Sequence, residues 1–187
     1  MWRAMAAGLA LVVAMGSAAL NAALAQKADS PSVAAFRVVH SVVTHPRCMN
    51  CHTTVSWPTL GDDQRRHSFN VMRGPDGKGT PGLKCTTCHT EVNQVAGNVP
   101  GAKDWHMAPV AMGWTGLGTA ALCKALLDPA RNGGRQGSKV IAHLKSDPLV
   151  LWAWSPGAKR SVPPVPHAKF HQAAEAWIKL GAECPTN

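Results

Sequence analysis

Tyrosine is absent from the 187 residues, and the remaining aromatics, 3 Phe and 7 Trp, make up 5% of the chain. Side chains alone therefore give little aromatic bulk for a core, while 17 Gly and 14 Pro point to many turns and modest helical content. Acidic residues are also scarce, 10 against 19 Lys and Arg, for a formal charge of +9. A surplus of that sign attracts acidic partners over about a Debye length, ~8 Å, and speeds encounter. No basic run is interleaved with aromatics, which argues against nucleic acid as a ligand. A solvated basic face with no dedicated partner is the plainer alternative.

Long apolar runs are missing everywhere except at the start. Trp2-Arg3 is a short positive opening, Ala4 to Leu20 is apolar and uncharged, and Ala23-Leu24-Ala25 is an A-x-A cleavage site before Gln26. This pattern predicts a signal peptide over 1–25, export to the periplasm, and no stable membrane insertion after cleavage; an uncleaved anchor is the competing reading. Without Arg3 the 19 basic residues become 18 against 10 acidic ones, about +8. Residues 26–187 are enough for a single compact domain.

Cysteine is where the sequence is most informative. Cys48-Met49-Asn50-Cys51-His52 and Cys85-Thr86-Thr87-Cys88-His89 both spell C-x-x-C-H. Two thiols at this spacing reach the two vinyl edges of one porphyrin as thioethers, and the next imidazole then stands under the iron. The expectation is two covalently bound haem c groups. Cys48, Cys51, Cys85 and Cys88 would be the attachment points, and His52 and His89 the proximal iron ligands. Buried haem would also supply the missing apolar bulk. A zinc site built from all four thiolates would need the two distant pairs to converge and has no use for the added histidines. A thioredoxin-like pair needs a βαβ context, and no Val- and Ile-rich run flanks either motif. Cys123 and Cys184 have no neighbouring Cys or following His. In an exported chain they are expected to form a disulfide tying the C-terminal helix to the middle of the chain.

The fold class expected is mainly α, with short helices, much irregular loop and little or no β-sheet: a compact dihaem cytochrome c. A haem-binding segment spans about 33–115 and a helical segment about 116–187. Val33, Phe36, Val39 and Val43 trace a helix face over Ser32 to Val43, closed by Pro46. Gly74 to Gly82 reads as a surface loop, and Trp105 to Trp114 as apolar but irregular. Thr119 can cap a helix ending at Leu127, Ser138 can cap a second, and Phe170, Ala174, Trp177 and Gly181 form a stripe on a helix from about His167 to Leu180.

Six-coordinate iron needs a second axial ligand, and supply exceeds need. His45, three residues before Cys48, spans about 10 Å at full extension, so it would have to serve the other haem. His67 lies 15 residues after His52 and His106 lies 17 after His89, long enough to bring a loop over a haem. His45, His67 and His106 are the distal candidates. His40, Met72, Met107 and Met112 remain available, and a surface role is the plainer reading of His143, His167 and His171.

The paired motifs resemble the multihaem c-type cytochromes. His45-Pro46-Arg47-Cys48-Met49-Asn50-Cys51-His52, with Asp104-Trp105-His106 and the stretch Asp128-Pro129-Ala130-Arg131-Asn132-Gly133-Gly134-Arg135, is similar to proteins labelled isoquinoline 1-oxidoreductase subunit, over most of the chain beyond the signal. That label implies an electron-accepting role beside a dehydrogenase or molybdenum hydroxylase. No molybdopterin or iron–sulfur pattern is present in the sequence itself. Nor does a Met follow each motif at the interval of the ordinary monohaem fold, so that fold is not copied onto either half.

The function expected is therefore a periplasmic electron carrier, preferred over an enzyme, that passes single electrons between redox proteins, its partner presenting an acidic docking surface. The alternatives are a dihaem peroxidase-like enzyme and a haem-based gas-binding module, each with one open axial site.

Overall fold

The computed structural model describes residues 28–186. The expected signal peptide, 1–25, lies outside the described residues. Within them the protein is mainly helical, and the strand content is two tiny antiparallel ladders, β1 (Thr59–Leu60) with β2 (Arg65–Arg66) and β3 (Gly79–Thr80) with β4 (Leu83–Lys84). No helix among the described residues is long and apolar enough to cross a membrane.

Three helices begin the same way, with a capping side chain followed by proline. Ser30 caps α1 (Pro31–Val43), His45 caps α2 (Pro46–Met49) and Asp147 caps α5 (Pro148–Trp152). Proline suits the first helical position because its missing N–H would find no partner there in any case, and its φ is already helical. Pro46 therefore opens a helix instead of closing the preceding one, which ends at Val43 with Thr44 as its cap. The expected caps at Thr119 and Ser138 also differ. Helices α3 (Thr119–Leu127) and α4 (Ser138–Ser146) start one residue after Gly118 and Gly137, without a side-chain cap. The last helix, α6 (His167–Lys179), ends as the stripe predicts, with Gly181 at φ 100°.

The core lies where α1 packs on α6, with α3 and α4 closing its sides. Phe36, Val39 and Val42 of α1 and Phe170, Ala174 and Trp177 of α6 are buried together, the Phe36 and Trp177 rings 5.0 Å apart. Polar groups complete the seam. Ser32 Oγ donates to the Trp177 carbonyl (3.2 Å), the Glu183 N–H donates to Ser32 Oγ (3.0 Å), and Trp177 Nε1–H donates to the Glu183 carbonyl (3.0 Å). The disulfide Cys123–Cys184 then ties α3 to the segment after α6, the pairing expected from the sequence. Both ends of the described chain thus meet in one helical clasp. Residues 44–118, mostly irregular, form a long excursion from it and carry both C-x-x-C-H motifs.

Candidate functional site

The first motif leaves the clasp directly. Cys48 sits in α2, and the turn after it puts Cys51 and His52 against residues 112–114. That segment holds His52 on three sides. His52 Nδ1 faces the Met112 carbonyl at 2.9 Å, the Trp114 N–H donates to the His52 carbonyl at 2.8 Å, and the Trp114 indole stacks flat on the imidazole at 3.6 Å. Gly113 between them leaves no room for a side chain, since a Cβ there would lie 2.8 Å from the Thr53 carbonyl. Cys48, Cys51 and His52 line a cavity of about 750 Å³, shared with Met112, Trp114 and His143.

The second motif follows the β3–β4 hairpin. Cys85 begins a single 3-10 turn, Cys85–Thr87, that Cys88 caps, and His89 Nδ1 faces the Pro100 carbonyl at 2.7 Å while Trp105 stacks on the ring at 4.5 Å. Cys85, Cys88 and His89 line another cavity, of about 820 Å³. His67 lies in the same wall, its ring centroid 6.1 Å from that of His89 and the planes 65° apart. Two metal–nitrogen bonds of about 2 Å plus the ring radii fill such a separation.

The hydrogen bonds fix which nitrogen each histidine presents. A carbonyl or carboxylate can only accept, so a neutral ring facing one through Nδ1 carries its proton there and leaves Nε2 bare. His52 and His89 are of this kind. So are His67, facing the Ser68 carbonyl at 2.8 Å, His106, facing the Asp104 carbonyl, and His143, facing Asp147 Oδ2 at 3.1 Å. Metal-bound histidines are held in this way. His45 is the reverse: its Nδ1 accepts from the Arg47 N–H at 3.2 Å as the α2 cap, and its Nε2 meets Ser161 Oγ at 3.2 Å. His45 thus stands outside both cavities with both nitrogens engaged. His167 spends Nε2 on the Leu144 carbonyl, and neither it nor His40, His171 or Met72 lines either of these two cavities.

The two cavities share a wall. Trp105, His106, Met107 and Trp152 line both, as do Arg47 and Cys51, and the Trp105 and Trp152 rings meet edge to face at 4.9 Å. Burial dominates the electrostatics of the first motif. It pushes the Cys48 thiol up to about 12 and the Cys51 thiol up to about 11, and takes the His52 imidazole down to about 4. His89, less enclosed, is also lowered chiefly by burial. Arg73 is 5% exposed and has no carboxylate partner among the described residues; its Nη2 donates to the Thr53 and Val55 carbonyls, while Nε and Nη1 have no acceptor. The buried Nε1 of Trp114 has none either. Unpaired buried donors are costly, and those in the first cavity suit a ligand that carries acidic groups.

Spacing along the chain brings out His67 and His106 but misses His143, Arg73 and the Trp pair, which come from remote segments. One local signal points to His143: Asp147 stands at i+4 from it, where a carboxylate can hold the ring. Compared with known proteins, the chain matches no family model, no curated protein and no solved structure.

Proposed function

We propose that this protein is an exported dihaem c-type cytochrome that carries single electrons between periplasmic redox proteins. The observation that carries the reading is that each C-x-x-C-H motif edges its own cavity and holds its histidine with Nε2 bare. Cavities of about 750 and 820 Å³ lie within the roughly 300–1,000 Å³ typical of cofactor clefts. Trp105, Trp152 and Met107 line both, and Trp114, Trp154 and Met112 add to the first, apolar surface that suits a flat macrocycle.

In this reading Cys48 and Cys51 would hold one haem as thioethers and Cys85 and Cys88 the other. His52 and His89 would ligate the two irons, and His67 would be a further ligand at the second. Haem, when bound, supplies an iron that changes oxidation state by one electron. The polypeptide does the rest. The Met112 and Pro100 carbonyls fix the tautomer, and Trp114 and Trp105 fix the ring planes. The common wall keeps the two groups adjacent, and the surplus of basic side chains favours an acidic partner.

Intact-mass measurement tests this on protein matured in a bacterial host that attaches haem c. The expected species is the chain without residues 1–25 plus two haem masses. C48A/C51A and C85A/C88A should each lose one. A product without added haem overturns the proposal.

A further inference from the structure

Besides His52 and the shared His106, the first cavity contains a histidine whose spacing from the haem motifs does not mark it as a ligand. We propose that His143, backed by the carboxylate of Asp147, is the second protein ligand of the iron held at Cys48-Met49-Asn50-Cys51-His52. The inference rests on the dihaem reading and completes its first site.

Geometry carries the argument. His143 is in the last turn of α4, a packed element, and lines the cavity that His52 lines. Its Nδ1–H is committed to Asp147 Oδ2 at 3.1 Å, so the bare nitrogen is Nε2. Asp147 cannot swing away, because its other oxygen accepts the Leu149 N–H at 2.9 Å as the cap of α5 and its own N–H is bonded to the His143 carbonyl at 3.2 Å. A carboxylate fixed from behind aims a ring and makes it a better donor. His106 belongs to the wall common to both cavities, and His45 presents the wrong tautomer. His67, which lines the second cavity with His89, is backed by a neutral carbonyl, whereas His143 is backed by an anion. The first iron should therefore favour its oxidised state more than the second.

Carbon monoxide counted against haem content in the reduced holoprotein tests the assignment. The intact protein should bind none, H143A one equivalent, H67A one, and the double variant two. Added imidazole should restore the six-coordinate spectrum of H143A. Asn retains helix-capping ability, so D147N keeps the α5 cap while removing the anion. One of the two reduction potentials should rise in D147N and the other stay in place, a shift that loss of a merely structural contact would not produce. The proposal is overturned if H143A stays closed to carbon monoxide, if the intact protein already binds one equivalent and H143A adds none, or if D147N moves neither potential. A failure of the dihaem reading itself would show earlier and separately, as missing haem mass.

Discussion

The indole of Trp114 lies on the imidazole of His52 with 3.6 Å between ring centroids and 10° between planes. The same residue also donates its backbone N–H to the His52 carbonyl, so ring and backbone are fixed by one neighbour. In the dihaem proposal, W114L should keep both haems attached but free the His52 ring to turn and to leave the iron. Faster cyanide binding to the oxidised protein, with unchanged haem mass, is the expected outcome. Equal rates in variant and parent would show that the stack has no role in holding the ligand.

The disulfide Cys123–Cys184 spans 61 residues and its Cys123 end is fully buried. Closing a loop of that length restricts the unfolded chain, and C123A/C184A should lose about 2–4 kcal/mol of stability. Urea unfolding followed by tryptophan fluorescence measures it. A midpoint unmoved by the double substitution would mean that the clasp holds without its covalent tie.

Trp177 is the largest fully buried side chain and packs on Phe36 at 5.0 Å. W177A leaves a void at the α1–α6 seam and removes the hydrogen bond to Glu183, so a loss of about 3–5 kcal/mol is expected. Phe170 is buried beside it in the same cluster and should behave alike. Chemical denaturation of holoprotein, with haem absorbance as a second probe, checks both.

Asp62 pairs with the buried guanidinium of Arg47 and accepts from the Ser161 N–H at 3.1 Å. Slight burial works against its charge, but the Ser161 bonds and the Arg47 and His45 charges outweigh it and hold the carboxyl below its usual range. A carboxyl depressed in the folded state contributes stability that is complete above its unfolded value, about 3.9, and is lost as pH falls through the folded value. D62N should therefore flatten the acid limb of a stability profile below about pH 4 and lower the plateau above it. A parallel shift of the whole curve would assign the effect to packing alone.

How far the sequence alone reaches depends on how local each feature is. The stripes Val33-Phe36-Val39-Val43 and Phe170-Ala174-Trp177 repeat with the helical period and are buried as that period requires. Thr119 and Ser138 do mark the starts of α3 and α4, but not as caps, because glycine, not a side chain, supplies the turn into each. Pro46 reads as a stop and acts as a start, since proline breaks a helix from inside and opens one from its first position, and the sequence does not say which. The five-residue α5 is too short to leave a periodic trace. At the site, C-x-x-C-H is a contiguous pattern and is legible directly. The walls are not: Trp114 reaches His52 from a remote part of the chain, and the carbonyls that set the tautomers belong to Met112 and Pro100, whose side chains give no hint of the role.

The clasp has a consequence for how the protein is made. Its helices bury one another and are covalently stitched, whereas the long excursion between Val43 and Thr119 is mostly irregular and lines two large cavities together with residues of the helical part. Ordering so long a segment is entropically expensive, and in the dihaem proposal the bound groups would repay it. Under the proposed function, the chain before haem attachment would be a helical bracket with an unfinished middle, its four C-x-x-C-H thiols reachable by an attachment enzyme until the second macrocycle closes the shell.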